Sequence, residues 1–357
     1  MSYNTIRIEK TTQPKEKPDS TTVAFGTVFT DHMFILDYTD EKGWHDGRIV
    51  PYGPIELDPA STSLHYGQTV FEGLKAYVTE HDEVQLFRPD QNMARINRSS
   101  ERLQIPEIDE EYATNALKEL VRLDKEWVPN EKGTSLYIRP FIIATEAHLG
   151  VTPAKNYKFI IILSPVGAYY DEGINPIKIA VENKFVRAVT GGTGEAKTGG
   201  NYAASLAATE KVSKKGFSQV LWLDGVEKKY IEEVGSMNIF FKINGEIITP
   251  ELHGSILPGI TRDSVIQILE YWGHTVTERR ISMQEVYDAA KSGALEEAFG
   301  TGTAAVISPI GQLNWNDEDI IINNYETGEI SKNLYDSLTN IQYGVTEDIF
   351  GWTVKID

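Results

Sequence analysis

Residues 191–202 carry the densest chemical signal in this chain and read GGTGEAKTGGNY. Five of the ten residues from 191 to 200 are glycine, and one lysine, Lys197, lies among them. Glycine lets a backbone adopt positive φ and approach a ligand closely, so this lysine can be fixed against a bound group. Taken alone, such a stretch is more often a flexible surface loop with a solvated lysine.

The same residues nearly match the phosphate-binding loop of nucleotide hydrolases, G-x-x-x-x-G-K-[ST]. Gly191, Lys197 and Thr198 are in register, but Ala196 stands where the pattern requires glycine. The apolar run 220–223 before Asp224 is also similar to the strand that ends on a magnesium-binding aspartate in such enzymes. The Cβ of Ala196 would hinder wrapping of a phosphate, so a P-loop nucleotide hydrolase is a remote alternative.

Composition limits the class of protein. The chain has 357 residues, of which 41% are hydrophobic and 24% charged, as in ordinary globular proteins, and this length favours two domains. The absence of cysteine excludes disulfides and thiolate chemistry, and the net charge of −18 argues against nucleic acid or an anionic membrane as partner. The N-terminal residues are polar and the apolar run 159–163 is too short to span a bilayer, so we expect a cytoplasmic protein.

Predicted strands and helices alternate without a regular βαβ repeat, which favours an α+β (mixed α/β) fold. Asp90, Asp109 and Ser282 are predicted helix caps. Turn formers and aromatic residues predict an interdomain linker at 165–175, between a smaller N-terminal α/β domain (1–164) and a larger C-terminal domain (176–357). The predicted strands are 33–38, 70–78, 84–87, 135–144, 157–163, 177–181, 219–223 and 239–243.

Three further runs could bind an anion or a cationic ring. A carboxylate in EEVGSMN (232–238) could favour the protonated form of a ring nitrogen. The run LPGITR (257–262) leads into a predicted helix whose N-terminus suits a phosphate, and FGTGTAA (299–305) could form a second anion-binding turn. Neither H-E-x-x-H nor G-x-S-x-G occurs, so we expect no metal site and no serine hydrolase.

In their order and in their residues these motifs resemble those of the branched-chain amino acid aminotransferases, which are fold-type IV pyridoxal-phosphate enzymes. The resemblance extends from about residue 25 to residue 305. It implies a two-domain fold-type IV architecture, pyridoxal 5'-phosphate bound in the larger C-terminal domain, and a homodimer. The matching runs are FTDHM (29–33), LHYGQTVFEGLKAY (64–77), NMARINRS (92–99), LYIRP (136–140), KTGGNYA (197–203), EVGSMN (233–238), LPGITR (257–262) and FGTGTA (299–304).

The resemblance also implies roles toward the cofactor. Lys197 would carry it as a Schiff base and, once displaced, would act as the catalytic base. Tyr202 would donate a hydrogen bond to its phenolic oxygen, and Glu233 would pair with its protonated ring nitrogen. The remaining implied contacts are phosphate contacts by Arg95, Ile260, Thr261 and Thr303, and a nearby hydroxyl from Ser236, where relatives often have threonine.

On the substrate side, Arg139 would receive the side-chain carboxylate of glutamate, which an arginine fork fits bidentately. Thr303 and Ala304 would offer backbone N–H groups to the α-carboxylate, and Leu149 and Val151 would belong to a loop shared across the homodimer. Aromatic residues would form the wall for a branched apolar side chain, namely Phe25, Tyr66, Phe71 and Tyr137. The implied activity is reversible ping-pong transfer of the amino group of L-Leu, L-Ile or L-Val to 2-oxoglutarate.

Other fold-type IV enzymes remain alternatives, in particular a D-amino acid aminotransferase or an aminodeoxychorismate lyase. They share the lysine, the glutamate and the phosphate contacts. Arg139 within LYIRP, together with the aromatic wall, favours the branched-chain activity. Residues 305–308, AVIS, stand where mammalian relatives carry a redox CxxC, which indicates a prokaryotic type of enzyme without that thiol regulation.

Overall fold

The computed structural model of the chain describes residues 5–167 and 174–356. The strands are β1 (Arg7–Ile8), β2 (His32–Thr39), β3 (Gly43–Pro51), β4 (Thr69–Phe71), β5 (Leu74–Val78), β6 (Val84–Phe87), β7 (Ser135–Ala144), β8 (Asn156–Val166), β9 (Ile177–Val181), β10 (Gln219–Leu223), β11 (Ile231–Val234), β12 (Asn238–Ile243), β13 (Glu246–Thr249), β14 (Val276–Glu278), β15 (Leu295–Gly302), β16 (Val306–Trp315), β17 (Glu318–Ile321) and β18 (Thr353–Ile356). The α-helices are α1 (Thr62–Tyr66), α2 (Pro89–Arg102), α3 (Glu110–Leu123), α4 (Gly199–Ser213), α5 (Ile260–Tyr271), α6 (Met283–Ser292) and α7 (Glu329–Gln342). Short 3₁₀ helices cover Lys125–Trp127 and Asn323–Tyr325. These elements confirm the mixed α/β class.

The chain forms two compact units. The first contains Met1–Tyr169, Ala196–Gly199 and Asn340–Asp357, and the second contains Tyr170–Glu195 and Gly200–Thr339. Lys197 therefore belongs to the first unit, although the glycine-rich residues on either side of it belong largely to the second. The linker at 165–175 stays a prediction, because β8 continues to Val166 and residues 168–173 lie outside the described part of the chain.

The first unit is built on a sheet of nine strands. Their order is β1-β3-β2-β8-β7-β5-β6-β18, with β4 paired to β7, and every pair except β1–β3 is antiparallel. The longest ladder joins β7 to β8, from Ser135 opposite Val166 to Ala144 opposite Tyr157. Residues of α2 and α3 form one core with this sheet, and a smaller apolar cluster contains Met33, Ile35 and Ile160.

Helix starts show how far local sequence determines local structure. The side chain of Asp109 accepts a hydrogen bond from the Tyr112 N–H, and Ser282 accepts one from the Glu285 N–H, so both predicted caps are confirmed. The predicted cap at Asp90 was wrong, because Asp90 lies in the first turn and Arg88 occupies the cap position with φ 49°. Pro89 begins this helix, and proline suits a first helical position, where an N–H has no partner in the helix.

The second unit contains another nine-stranded mixed sheet. Its order is β11-β10-β9-β16-β15-β12-β13-β14, with β17 paired to β16. β9 is parallel to both of its neighbours, and β13 is parallel to β14, whereas the remaining pairs are antiparallel. The core of this unit joins the sheet to α6 through Met283, Val286 and Ala289.

No helix in the described residues is both long enough and apolar enough to cross a membrane.

Candidate active site

Lys197 is held in the first unit by its own backbone. Its N–H donates to the Ser99 hydroxyl at 2.9 Å, and its carbonyl accepts from the Phe71 N–H at 3.0 Å. The next hydroxyl, of Thr198, is buried and donates to the Thr69 carbonyl at 2.7 Å. This hydroxyl is thereby committed to a backbone group, whereas a P-loop needs it for magnesium, so the geometry favours the aminotransferase interpretation.

Glu72, adjacent to Phe71, anchors Arg95 in the interior of the same unit. The guanidinium donates from Nε to Glu72 Oε1 at 2.7 Å and from Nη2 to Oε2 at 2.8 Å, and Asn92 donates to Oε2 at 2.7 Å. Burial alone would raise the pKa of the Glu72 carboxyl, but the charge and hydrogen bonds of Arg95, with the charge of Lys197, hold it below its ordinary value. Glu72 is therefore an anion that fixes the plane of the arginine predicted to bind phosphate.

A cluster of aromatic rings surrounds Arg139 and reaches Lys197. The Lys197 amine lies 4.9 Å from the centre of the Phe71 ring, and the Arg139 guanidinium lies 4.7 Å from the same ring. Arg139 Nη2 donates to the Tyr137 hydroxyl at 2.8 Å, and the Tyr137 ring meets Phe25 edge to face at 4.8 Å. Five predicted residues are thus brought together within one unit.

Gly73 and Arg139 show why the sequence around this cluster is constrained. A Cβ on Gly73 would lie 2.1 Å from the Tyr137 hydroxyl, so only glycine leaves room for that ring. The Nε of Arg139 is buried and has no hydrogen-bond partner among the described residues. A buried donor without a partner is costly, and a carboxylate is the group that best satisfies a guanidinium.

Tyr66, Leu149 and Val151 also belong to the first unit, and all three are exposed. The Tyr66 hydroxyl donates to the Leu149 carbonyl, which ties α1 to the loop after β7. The exposed fractions are 44% for Tyr66, 63% for Leu149 and 81% for Val151, which are high values for large apolar side chains. The place of Tyr66 in the wall of the pocket stays a prediction.

In the second unit, Glu233 lies on β11 rather than in a charged turn. Its Oε2 forms an ion pair with Arg187 Nε at 2.5 Å, and its Oε1 accepts from the Leu257 N–H at 3.0 Å. The Asn238 amide donates to the Leu257 carbonyl at 2.9 Å and lies 3.4 Å from Glu233 Oε1. Both side chains of the ion pair are nearly inaccessible to solvent, so Glu233 is a fixed buried carboxylate.

The predicted phosphate contacts Ile260 and Thr261 are the first two residues of α5. Gly259 occupies the N-cap position without a side-chain cap, and a Cβ there would lie 2.0 Å from the Asn238 amide oxygen. The positive end of a helix dipole favours an anion at this position. The backbone here therefore has the polarity that a phosphate requires.

The other predicted residues of this unit lie in turns and on α4. Ser236 is exposed in the tight connection of β11 and β12, and Tyr202 is half-buried on α4. The run 299–305 is strand as far as Gly302, so the predicted anion-binding turn contains only Thr303, Ala304 and Ala305. Val306 follows with φ 62°, a rare conformation for a β-branched residue that is usually found where function constrains the backbone.

Three residues at the site were not assigned a role from the sequence: Glu72, Arg187 and Asn238. For the two charged residues a signal existed, because each interrupts an apolar run, VFEGL (70–74) or FVRAV (185–189). A charged side chain in such a run is rarely buried without a partner. No comparable signal marks Asn238, whose role depends on the approach of residues 257–259.

The described residues contain no group of three or more histidine, cysteine, aspartate or glutamate side chains placed to hold a metal ion.

The sequence profile of the amino-transferase class IV family matches residues 69–313, and the chain belongs to this family. Class IV aminotransferases depend on pyridoxal phosphate. Branched-chain-amino-acid aminotransferase 2 of Bacillus subtilis (strain 168) is 65% identical over 356 residues, which cover 100% of this chain and 98% of that protein. Branched-chain-amino-acid transaminase 1 of the same organism is 56% identical over 352 residues, covering 98% and 99%.

Solved structures confirm the fold-type IV architecture. The branched-chain amino acid aminotransferase of Escherichia coli has a TM-score of 0.77 at 27% identity, covering 92% of this chain and 99% of that one. The branched-chain aminotransferase of the thermophilic archaeon Thermoproteus uzoniensis, solved with norvaline, has a TM-score of 0.75 at 26% identity, covering 91% and 100%. The predicted family resemblance is thereby confirmed.

Proposed function

We propose that this chain transfers the amino group of L-leucine, L-isoleucine or L-valine to 2-oxoglutarate, using pyridoxal 5'-phosphate carried by Lys197. The observation that carries the proposal is the cluster of Arg139 with Phe71, Tyr137 and Phe25, which lies against the Lys197 amine. Apolar rings suit a branched side chain, while the Nε of Arg139, which has no hydrogen-bond partner in the described part of the chain, suits the second carboxylate of glutamate.

The residues present fit the cofactor by their chemistry. Lys197 supplies an amine for the aldehyde, Glu233 a buried carboxylate for the ring nitrogen, and Tyr202 a hydroxyl for the phenolic oxygen. Arg95, the first turn of α5 at Ile260 and Thr261, and Thr303 supply the contacts for a phosphate, and Ser236 a nearby hydroxyl. When bound, pyridoxal phosphate supplies an electron sink that acidifies the α-hydrogen of the amino acid.

The side chains of the first unit carry the proton transfer and the choice of substrate. Lys197 Nζ takes the proton from the substrate α-carbon and later returns one, and its fixed backbone limits the positions that the amine can reach. The Phe71 and Tyr137 rings exclude water from the branched side chain. Arg139 binds the side-chain carboxylate in the glutamate half-reaction, so one pocket serves both substrates in turn.

In the second unit, the carboxylate of Glu233 favours the protonated form of a pyridine nitrogen, and its ion pair with Arg187 fixes the orientation of that carboxylate. The backbone N–H groups of Thr303 and Ala304 are our proposed partners for the substrate α-carboxylate. A D-amino acid aminotransferase or an aminodeoxychorismate lyase would use the same lysine and glutamate. The Arg139 cluster, together with relatives named as branched-chain aminotransferases, favours the branched-chain activity.

A homodimer is part of this proposal. Large apolar side chains are exposed on α1 and on the loop after β7, as is common at protein–protein contacts: Leu64 at 59%, Tyr66, Leu149 and Val151. A second copy of the chain would cover them and would bring the loop of Leu149 and Val151 to the neighbouring subunit. Light scattering tests this by molar mass: we expect twice the chain mass for the wild type and a monomer for Val151→Glu. We propose the cytoplasm as location, which a chain without cysteine suits.

The visible spectrum of the purified protein tests the function. We expect a Schiff-base absorbance band that bleaches with L-leucine and recovers with 2-oxoglutarate. Lys197→Ala should lack both changes, whereas Lys155→Ala, which removes an exposed lysine of the same unit, should retain them. A band that ignores L-leucine but responds to D-alanine would refute the substrate, and a protein that pyridoxal phosphate cannot reconstitute would refute the cofactor.

A further inference from the structure

A second buried glutamate lies beside Glu233 because β11 contains a bulge. Trp222 of β10 pairs with Glu233, but Leu223 pairs with Ile231, so Glu232 is an extra residue in the ladder. Bulges re-aim side chains and are frequent next to active sites. Here both glutamates reach the segment 255–257: Glu232 Oε1 accepts from the Ser255 hydroxyl at 2.5 Å, and Glu233 accepts from the Leu257 N–H.

One arginine faces these two acids. Arg187 Nε lies 2.5 Å from Glu233 Oε2, and Arg187 Nη2 donates to the carbonyls of Gly194, at 3.0 Å, and Ser255, at 2.5 Å. A Cβ on Gly194 would lie 2.2 Å from the Ser255 carbonyl oxygen, so this close approach requires glycine. A single guanidinium cannot neutralise two buried carboxylates, and one of them must be neutralised by other means.

His253 provides the neutralisation of the second carboxylate. Its Nδ1 lies 2.9 Å from the Glu251 carbonyl, which only accepts, so Nδ1 carries a hydrogen. Its Nε2 lies 3.4 Å from the Ser255 hydroxyl and 3.6 Å from Glu232 Oε1, so it faces the acid. One titratable proton can therefore lie on either residue. It makes Glu232 neutral beside a neutral His253, or it makes His253 cationic beside an anionic Glu232. Both arrangements have no net charge.

The surroundings of Glu232 favour the neutral acid. Burial raises the pKa of its carboxyl, as does the charge of Asp224, and the Ser255 hydrogen bond with the charges of His253 and Arg187 opposes this without reversing it. Its Oε2 is buried and has no hydrogen-bond partner among the described residues. An ionised oxygen in that position would lack any compensation for lost hydration.

We propose that Glu232, Ser255 and His253 form a proton-holding cluster that keeps Glu232 uncharged, so that Arg187 stays committed to Glu233. Glu232 is thus a positioning residue, which acts on the cofactor through Arg187 and Glu233. The proposal rests on the proposed function, in which Glu233 pairs with the cofactor ring nitrogen. When the cluster loses its proton at alkaline pH, anionic Glu232 competes with Glu233 for Arg187, and the affinity for pyridoxal phosphate falls.

The test is the dissociation constant of pyridoxal 5'-phosphate for the apoprotein, from the quenching of tryptophan fluorescence between about pH 6 and about pH 9. Because many groups titrate in this range, the informative quantity is the ratio of the wild-type constant to that of Glu232→Gln. We expect a ratio near unity at the acidic end and a rise of about tenfold at the alkaline end, which is typical of coupling between two sites.

Glu182→Gln is the matched control. Glu182 is also a buried glutamate of the second unit, but it accepts hydrogen bonds from the N–H groups of Lys184 and Phe185 and pairs with Lys211. Its replacement removes a buried carboxyl without touching the cluster, so its dissociation constants should follow the wild-type pH profile. The thermal midpoint of each apoprotein reports separately on folding.

A second variant covers the possibility that Glu232→Gln does not fold. His253 is partly exposed, with 29% of its side chain accessible, and His253→Asn removes the second site that can hold the proton of the cluster. Because the proton then has one site instead of two, the cluster loses it more readily, and the alkaline loss of affinity should move to lower pH in His253→Asn. An identical pH profile in wild type and Glu232→Gln, or a loss that moves to higher pH in His253→Asn, would overturn the cluster. If pyridoxal phosphate binds none of these proteins at any pH, the proposed function fails instead.

Discussion

Replacement of Glu72 by glutamine should destabilise the first unit strongly while preserving the shape of the side chain. Glu72 has no accessible surface and accepts from Arg95 Nε, Arg95 Nη2, Asn92 and the Gly73 N–H, at 2.7, 2.8, 2.7 and 3.2 Å. Glutamine has one acceptor oxygen, so its amide N–H groups would face N–H donors of Arg95, Asn92 or Gly73 and could form no hydrogen bond with them. A buried guanidinium that loses its carboxylate costs about 3–5 kcal/mol.

Hydrogen exchange followed by mass spectrometry can measure this loss within one unit. At about 1.4 kcal/mol per factor of ten, the amides of β7 should exchange at least about a hundredfold faster in Glu72→Gln. Amides of β12, in the other unit, report whether the effect stays local. Glu83→Gln is the control, because it breaks the exposed pair of Glu83 with Lys355 and should leave exchange of β7 unchanged.

The pH dependence of hydrogen exchange in β7 gives a second check on the charge of Glu72. Because the pKa of Glu72 is lowered in the folded protein, its contribution is fully present above the carboxyl pKa of an unfolded chain, about 4.3, and is lost as pH falls through the folded value. Glu72→Gln should lack this loss. Exchange of β7 that is equal in wild type and variant at neutral pH would refute the assignment of Glu72 as a buried anion that holds Arg95.

Four other substitutions test the pocket and the starts of two helices. Arg139→Gln should raise the KM for 2-oxoglutarate about 10–100-fold in steady-state assays, as expected for a lost charged hydrogen bond, and an equal rise for L-leucine would contradict its role. Gly73→Ala should displace Tyr137 and lower kcat/KM for L-leucine, and unchanged kinetics would show that the ring has other room. Asp109→Ala should cost about 1 kcal/mol in urea unfolding and Asp90→Ala only about 0.3–0.5 kcal/mol, so equal costs would contradict the observed caps.

Local sequence determined part of the secondary structure, although the predicted strand 70–78 is two strands, β4 and β5. Strands β6, β7, β9 and β10 begin and end at the predicted residues, because apolar and β-branched runs bounded by turn formers leave few other arrangements. The caps at Asp109 and Ser282 also depend only on residues three positions away. Lys197 stood out for a similar reason, since its signal lies in the glycines beside it.

Only the tertiary structure decided which side chains meet. Arg95 forms an ion pair with Glu72, and Arg187 forms one with Glu233. The partners lie on different strands and loops, so neither could be identified from sequence spacing. The assignment of Lys197 to the first unit depends on the pairing of Thr198 with Val70. The bulge at Glu232 depends on the register of β10 against β11. A charged residue within an apolar run indicates, from the sequence, that a partner is needed. The identity of that partner depends on long-range packing, which no local pattern encodes.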